Sequence, residues 1–194
     1  MYCGQLVRLR APEVSDLSDM MKHINTYETR QFLLNKLPIS QKAEQTWLER
    51  AAVYDPWRDG QVVFVIEDKN SHELLGTAGL HNISPQSRSA ELGIWIHDPE
   101  NCSRGYGTDA VRVTLWIAFH LLGLESVMLT CLDTNLRAQR AYEKAGFRKV
   151  GILRKHMMSS GQLHDVVVMD ITREDFMAAY PPGSTVGDCS RVHA

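Results

Sequence analysis

The chain has 194 residues, 44% hydrophobic and 23% charged, which suits one globular domain with a real core and argues against disordered, fibrous or disulfide-dense classes. Its formal net charge of -2 gives no field for gathering polyanions, so nucleic acid is not an expected partner.

Taken in chain order, Gln5 to Arg10 alternates apolar and polar residues as an edge strand does, and Pro12 followed by Ser15 and Asp16 signals a first helix. Asn25 to Pro38 is irregular. Ser40 can cap a second helix through Trp47 to about Tyr54, stopped by Asp55-Pro56. Three strand-like runs follow, Gln61 to Glu67, Leu74 to Asn82 and Ser89 to Ile96, separated by turn-rich segments, and they read as an antiparallel meander. Val111, Leu115, Ala118 and Leu122 recur at helical steps, so a third helix packs on the sheet and ends at Gly123. Ser126 to Leu132 has the continuous apolar character of a buried strand, and Asn135 to Ala145 is an amphipathic helix closed by Gly146. Phe147 to Arg154 and His164 to Ile171 form a final hairpin around Ser159-Ser160-Gly161. The expected division is one domain over residues 1–180 and a flexible tail over 181–194, which opens with Pro181-Pro182-Gly183-Ser184.

Val111 to Leu124 is the longest strongly apolar stretch, but Arg112 and His120 interrupt it and it is too short to span a bilayer. With no leader pattern at Met1, the expected location is cytoplasmic, with no membrane partner. Cys3, Cys102, Cys131 and Cys189 form no C-x-x-C pair and are expected as free thiols. The eight histidines show no metal-binding spacing, so no metal is expected.

Chemistry concentrates in Arg104-Gly105-Tyr106-Gly107-Thr108-Asp109, which places two glycines at the mouth of the third helix. Unpaired backbone N–H groups and the helix dipole favour an anion there, and a glycine lets phosphate oxygens reach the backbone. Gly105-x-Gly107-x-x-Ala110 also fits a dinucleotide fingerprint, with Asp133 as its ribose acid. That reading wants a strand running directly into the first glycine and further strand-helix repeats. Here His97 to Arg104 intervene, antiparallel strands precede the motif and a hairpin ends the chain.

Ser89-Ala90-Glu91-Leu92-Gly93, the Arg104 to Thr108 segment, Asn135-Leu136-Arg137-Ala138 and Tyr142-Glu143-Lys144-Ala145-Gly146-Phe147 together resemble the GNAT superfamily of N-acetyltransferases, from about Leu6 to Ile171. Gly161-Gln162-Leu163-His164-Asp165-Val166 makes the chain look most like the branch of ribosomal-protein N-alpha-acetyltransferases and spermidine acetyltransferases. The resemblance implies an α/β (α+β) fold with a mixed, mostly antiparallel seven-stranded sheet flanked by about four helices. It implies acetyl-CoA as cosubstrate, with Arg104, Gly105, Tyr106, Gly107, Thr108 and Asp109 around its phosphates. One departure stands out: the family motif usually carries Gln or Arg three residues before the first glycine, where this chain has Cys102. Backbone amides dominate phosphate binding, so the expected effect is one weakened side-chain contact.

Acetyl transfer to an amine needs a neutral amine, a stabilised oxyanion and a protonated leaving thiol. Glu91 is the candidate base, because strand alternation sets it opposite Ala90, Leu92, Ile94 and Ile96; a solvated strand glutamate is the competing reading. The resemblance gives Tyr142 the role of protonating the departing thiolate, a task that suits a phenol of reference pKa about 10, against a packed core tyrosine. Asn135 shares a helix face with Tyr142 and would bond the pantetheine arm or simply cap its helix. The resemblance puts the oxyanion donor, a backbone N–H, and a splayed strand pair holding pantetheine near Trp95 and Ile96. The resemblance implies an acceptor side around Tyr27, Glu28 and Phe32, where Glu13 and Glu28 would draw in a cation; a charged surface helix is the competing reading. The leading acceptor is a protein N-terminal amine, with a polyamine or aminoglycoside-type amine next and a non-catalytic acyl-CoA sensor as a third reading. A homodimer is compatible with all of these.

Overall fold

The computed structural model describes residues 1–30, 36–159 and 161–181. The expectations placed on Phe32, on Ser160 and on the tail beyond Pro181 lie outside the described residues.

One sheet organises the chain. Its strands are Tyr2–Cys3 (β1), Val7–Arg10 (β2), Val62–Asp68 (β3), Leu74–Ser84 (β4), Ser89–Ile96 (β5), Ser126–Leu132 (β6), Arg148–Ser159 (β7) and Gln162–Thr172 (β8). They lie in the order β1-β2-β3-β4-β5-β6-β8-β7, antiparallel throughout except for the parallel pair β5–β6. The α-helices are Leu17–Met21 (α1), Tyr27–Arg30 (α2), Gln41–Ala51 (α3), Tyr106–Trp116 (α4), Leu136–Ala145 (α5) and Arg173–Ala179 (α6). The mixed, mostly antiparallel architecture is the expected one, with eight strands in place of seven and six helices in place of about four. Strand β1 and helix α2 are too short to show a period, whereas α6 did carry a signal, the capping box of Thr172 and Asp175.

Local chemistry explains the main elements. The Ser40 hydroxyl accepts the Ala43 N–H to start α3. Helix α4 continues past Trp116 through a π turn over Ile117–Leu121, and Gly146, left-handed at φ 108°, closes α5. Val111, Leu115, Ala118 and Phe119 pack with Leu80, Leu92, Val127, Leu129, Tyr142 and Phe176 as the main core on one face of the sheet. Met20, Leu48 and Val65 make a smaller cluster on the other, under α1 and α3. The sheet is therefore covered along one face by the main core and on the other only over β3, while β6 keeps Met128 and Thr130 exposed.

Cys102 and Cys131 are free, as expected, while Cys3 is disulfide-bonded, which departs from the expectation of four free thiols. Among the described residues no helix is long and apolar enough to cross a membrane, and no group of three His, Cys, Asp or Glu could hold a metal ion.

Candidate active site

The parallel pairing of β5 with β6 covers only Ser89, Ala90 and Glu91 against Ser126, Val127 and Met128. Beyond it each strand stays with its outer neighbour, β5 with β4 as far as Ile96 and β6 with β8 as far as Leu132. The two inner edges therefore part and leave a wedge. The His97 N–H donates to the Leu75 carbonyl on the β4 side at 2.9 Å, so the two-residue alternation turns the N–H groups of Ile94 and Ile96 into the gap. These are amides that an acyl-pantetheine chain or an oxyanion can accept from. The sequence reading named Trp95 and Ile96; alternation assigns Ile96 and Ile94, and turns the Trp95 amide to β4.

A cavity of about 720 Å³ occupies this wedge. Its strand walls are Leu92 to Ile96 and Thr130 to Leu132, and its far end is the start of α4. Gly105 caps that helix at φ 93°, a left-handed conformation in which a side chain is strained, and an added Cβ would also lie 3.0 Å from Leu6. The first intrahelical bond runs from the Asp109 N–H to the Gly105 carbonyl, so the amides of Tyr106, Gly107 and Thr108 stay free to meet an anion. Nothing crowds Gly107, whose added Cβ would come no nearer than 3.8 Å, to Ile96.

Of the expected site residues, Trp95, Ile96, Gly105, Gly107, Thr108, Asn135 and Tyr142 line this cavity. The side chains of Arg104, Tyr106 and Asp109 are engaged elsewhere. Arg104 donates to Asn101 Oδ1 and lies over the Tyr106 ring, whose hydroxyl donates to Asp68. The buried Asp109 carboxylate accepts the backbone N–H groups of Gln5, Leu6 and Val7 at 3.2, 2.7 and 3.0 Å, which ties the N-terminal segment to α4.

Asn135 caps α5, accepting the Ala138 N–H at 3.2 Å, and it also lines the cavity. Tyr142 is 8% exposed and packs edge-on to Phe147, and its hydroxyl has no hydrogen-bond partner among the described residues. Burial pushes this phenol upward, with Cys131 adding to the effect, so it carries its proton throughout the physiological range. Burial likewise raises Cys102 and holds Cys131 up at about 11, which makes both poor nucleophiles near neutrality.

Glu91 stands at the apex of the wedge, where strand pairing ends, and does not line the cavity. Asn82 Nδ2 donates to one of its oxygens at 3.0 Å and the Thr130 hydroxyl to the other at 3.3 Å. Glu28 and Thr29 of α2 line the acceptor side, whereas Glu13 caps the first helical turn in a capping box with Asp16.

Three cations escaped the sequence reading. Arg137, Arg140 and Lys144 fall at i, i+3 and i+7 on α5 and all line the cavity, with the Arg137 charge acting on Cys102. They were legible as a basic stripe on a helix following the anion motif. With the free α4 amides and the wedge, they suit a long phosphorylated thioester such as acetyl-CoA.

A wedge between parting strands, open amides along one wall, a helix start for phosphates and a buried neutral phenol define an N-acetyltransferase. A family model described as an acetyltransferase (GNAT) domain matches residues 7–148. Among curated relatives, an uncharacterized N-acetyltransferase, YoaA of Bacillus subtilis, is 29% identical over 77% of this chain and 82% of its own. Spermidine N(1)-acetyltransferase of Escherichia coli is 30% identical over 63% of this chain and 65% of its own. Among solved structures, spermidine N-acetyltransferase from Vibrio cholerae in complex with CoA and spermine superposes with a TM-score of 0.79 at 25% identity, covering 89% of this chain and 98% of that one. This chain belongs to the GNAT acetyltransferase family.

Proposed function

We propose that this chain transfers the acetyl group of acetyl-CoA to a primary amine of a small polycation of the spermidine type, by direct attack in a ternary complex. The observation that carries the reading is the single cavity that joins the free start of α4, the open edge of β5, Tyr142 and Glu28. Acetyl-CoA supplies the activated thioester. The α4 amides with Arg137, Arg140 and Lys144 hold its phosphates, and the Ile94 and Ile96 amides hold the pantetheine arm and the thioester carbonyl. Tyr142 gives its proton to the departing sulfur. Direct attack follows from the two thiols in the cavity, which burial keeps protonated.

Glu28 on the acceptor side supplies a negative charge to meet a cationic amine, and two relatives with polyamine substrates in their names share the fold. A protein N-terminal amine, the acceptor put first in the sequence reading, has behind it one relative named a putative ribosomal N-acetyltransferase, YdaF of Bacillus subtilis, 30% identical over 53% of this chain, and enters as an arm of the test.

The test is thiol release from acetyl-CoA with spermidine, N-terminal peptides and aminoglycosides as acceptors. Turnover with spermidine at a kcat/KM at least tenfold above any peptide is the expected result. Preference for peptides would overturn the polyamine acceptor. Tight acetyl-CoA binding with no turnover of any amine would replace the enzyme by a sensor.

A further inference from the structure

Strand β4 pairs with β5 so that His81 faces Glu91 and Gly79 faces Gly93. These four positions share the acceptor face of the sheet, followed along β5 by Trp95 and His97, whose ring centroids lie 3.8 Å apart with the planes tilted by 37°. A Cβ added at Gly93 would lie 3.2 Å from His81 Nε2, and one added at Gly79 would lie 3.3 Å from the same atom. The imidazole therefore lies along the sheet over a cross-strand glycine pair. Gly93 is itself a wall of the acetyl-transfer cavity, so Nε2 lies beside that wall, although His81 does not itself line the cavity.

We propose that His81 accepts, at Nε2, the proton that the acceptor amine loses, and that Glu91 is a positioning residue held beside it by Asn82 and Thr130. This rests on the acetyl-transfer reading above. Neither side chain lines the cavity itself, but Glu91 has both carboxylate oxygens engaged, whereas His81 Nε2 lies beside Gly93 of its wall. Burial lowers His81 from its ordinary 6.5 and outweighs the Glu91 charge, which raises it, so the ring is neutral and able to accept at neutral pH. Among the titratable groups facing His81 across the sheet, Glu91 is the one whose charge acts on it. His97 on the same face is no rival, because burial holds it neutral down to about 3.

Protons and bonds balance as follows. The ammonium passes one proton to His81, the amine nitrogen bonds to the acetyl carbon, and the carbon–sulfur bond breaks. Sulfur takes the Tyr142 proton, and the phenolate is restored by the second proton of the amine nitrogen. His81 returns its proton to water, leaving amide, free thiol and one released proton.

The test uses His81→Ala, Glu91→Gln, Gly93→Ala and the Gly93→Ala, His81→Ala double variant, with pH profiles of kcat/KM, acetyl-CoA affinity by calorimetry and thermal melting. His81→Ala should lower kcat by roughly 100-fold or more and remove the acidic limb, while acetyl-CoA affinity and melting temperature hold. Glu91→Gln should move that limb to lower pH, because the lost carboxylate favoured the imidazolium. Gly93→Ala should slow the wild type by displacing the ring, and the double variant should be slower than His81→Ala by much less than the factor Gly93→Ala costs the wild type. Wild-type rates or an intact acidic limb in His81→Ala would overturn the proposal alone. A wild type that acetylates no amine would overturn it together with the functional reading.

Discussion

Asp109 belongs to the glycine motif yet points away from the cavity, so its replacement separates a cofactor role from a structural one. Its carboxylate accepts three backbone N–H groups from the N-terminal segment, two of them at 3.0 Å or less. A hydrogen bond to a charged group contributes about 1.5 to 3 kcal/mol net, and the loss is partial where water can replace the acceptor. Leu6 is 42% exposed and recovers water, whereas the Val7 backbone is buried and does not. Asp109→Ala should therefore destabilise the fold by about 3 to 4 kcal/mol and Asp109→Asn, which keeps one acceptor oxygen, by about 1 to 2 kcal/mol. The assay is urea denaturation of each variant, paired with calorimetric titration of acetyl-CoA at a temperature where all stay folded. The expected result is a lower unfolding midpoint with acetyl-CoA affinity within about threefold of wild type. Wild-type stability combined with a tenfold or greater loss of affinity would refute the structural assignment.

Further expectations concern the cavity. Tyr142→Phe should lower turnover by roughly ten- to a thousand-fold with acetyl-CoA affinity nearly unchanged; an unaltered kcat would remove the phenol from the mechanism. Arg137→Ala should weaken CoA more than 3′-dephospho-CoA or shift both equally, depending on which phosphate it meets, and unchanged calorimetric affinity for both would exclude it from the phosphate site. Cys131→Ala should retain turnover within about threefold, and alkylation of Cys131 in the wild type, followed by mass spectrometry, should stay slow at neutral pH and accelerate only as the pH climbs toward its raised value of about 11. Fast labelling at pH 7 would contradict a buried, protonated thiol.

Much of the fold was legible because its elements carry their own signals. Ser126 to Leu132 matched β6 to the residue, although Met128 and Thr130 on one face are exposed, where the apolar run had implied burial on both. Gly105 and Gly107 marked the start of α4 because the left-handed cap there depends on backbone freedom that a sequence displays directly as glycine. Less legible were the directions of side chains around a helix start. Arg104, Tyr106 and Asp109 adjoin those glycines in sequence but take partners in Asn101, Asp68 and the N-terminal strand. Arg137, Arg140 and Lys144 were visible as charges on one helix face, yet only the packing of α5 decides that this face looks into the cavity.

By itself the sequence determined the order of the main strands and helices, a glycine-bearing helix start with free amides and the presence of a tyrosine on the helix that follows β6, because each rests on local pattern or backbone freedom. Only the tertiary structure decided where β5 and β6 part, that Glu91 lies at the apex behind Asn82 and Thr130, and that His81 lies over the Gly79–Gly93 pair. Those facts depend on pairing register between strands distant in the chain, and a register is a relation that no single segment can encode.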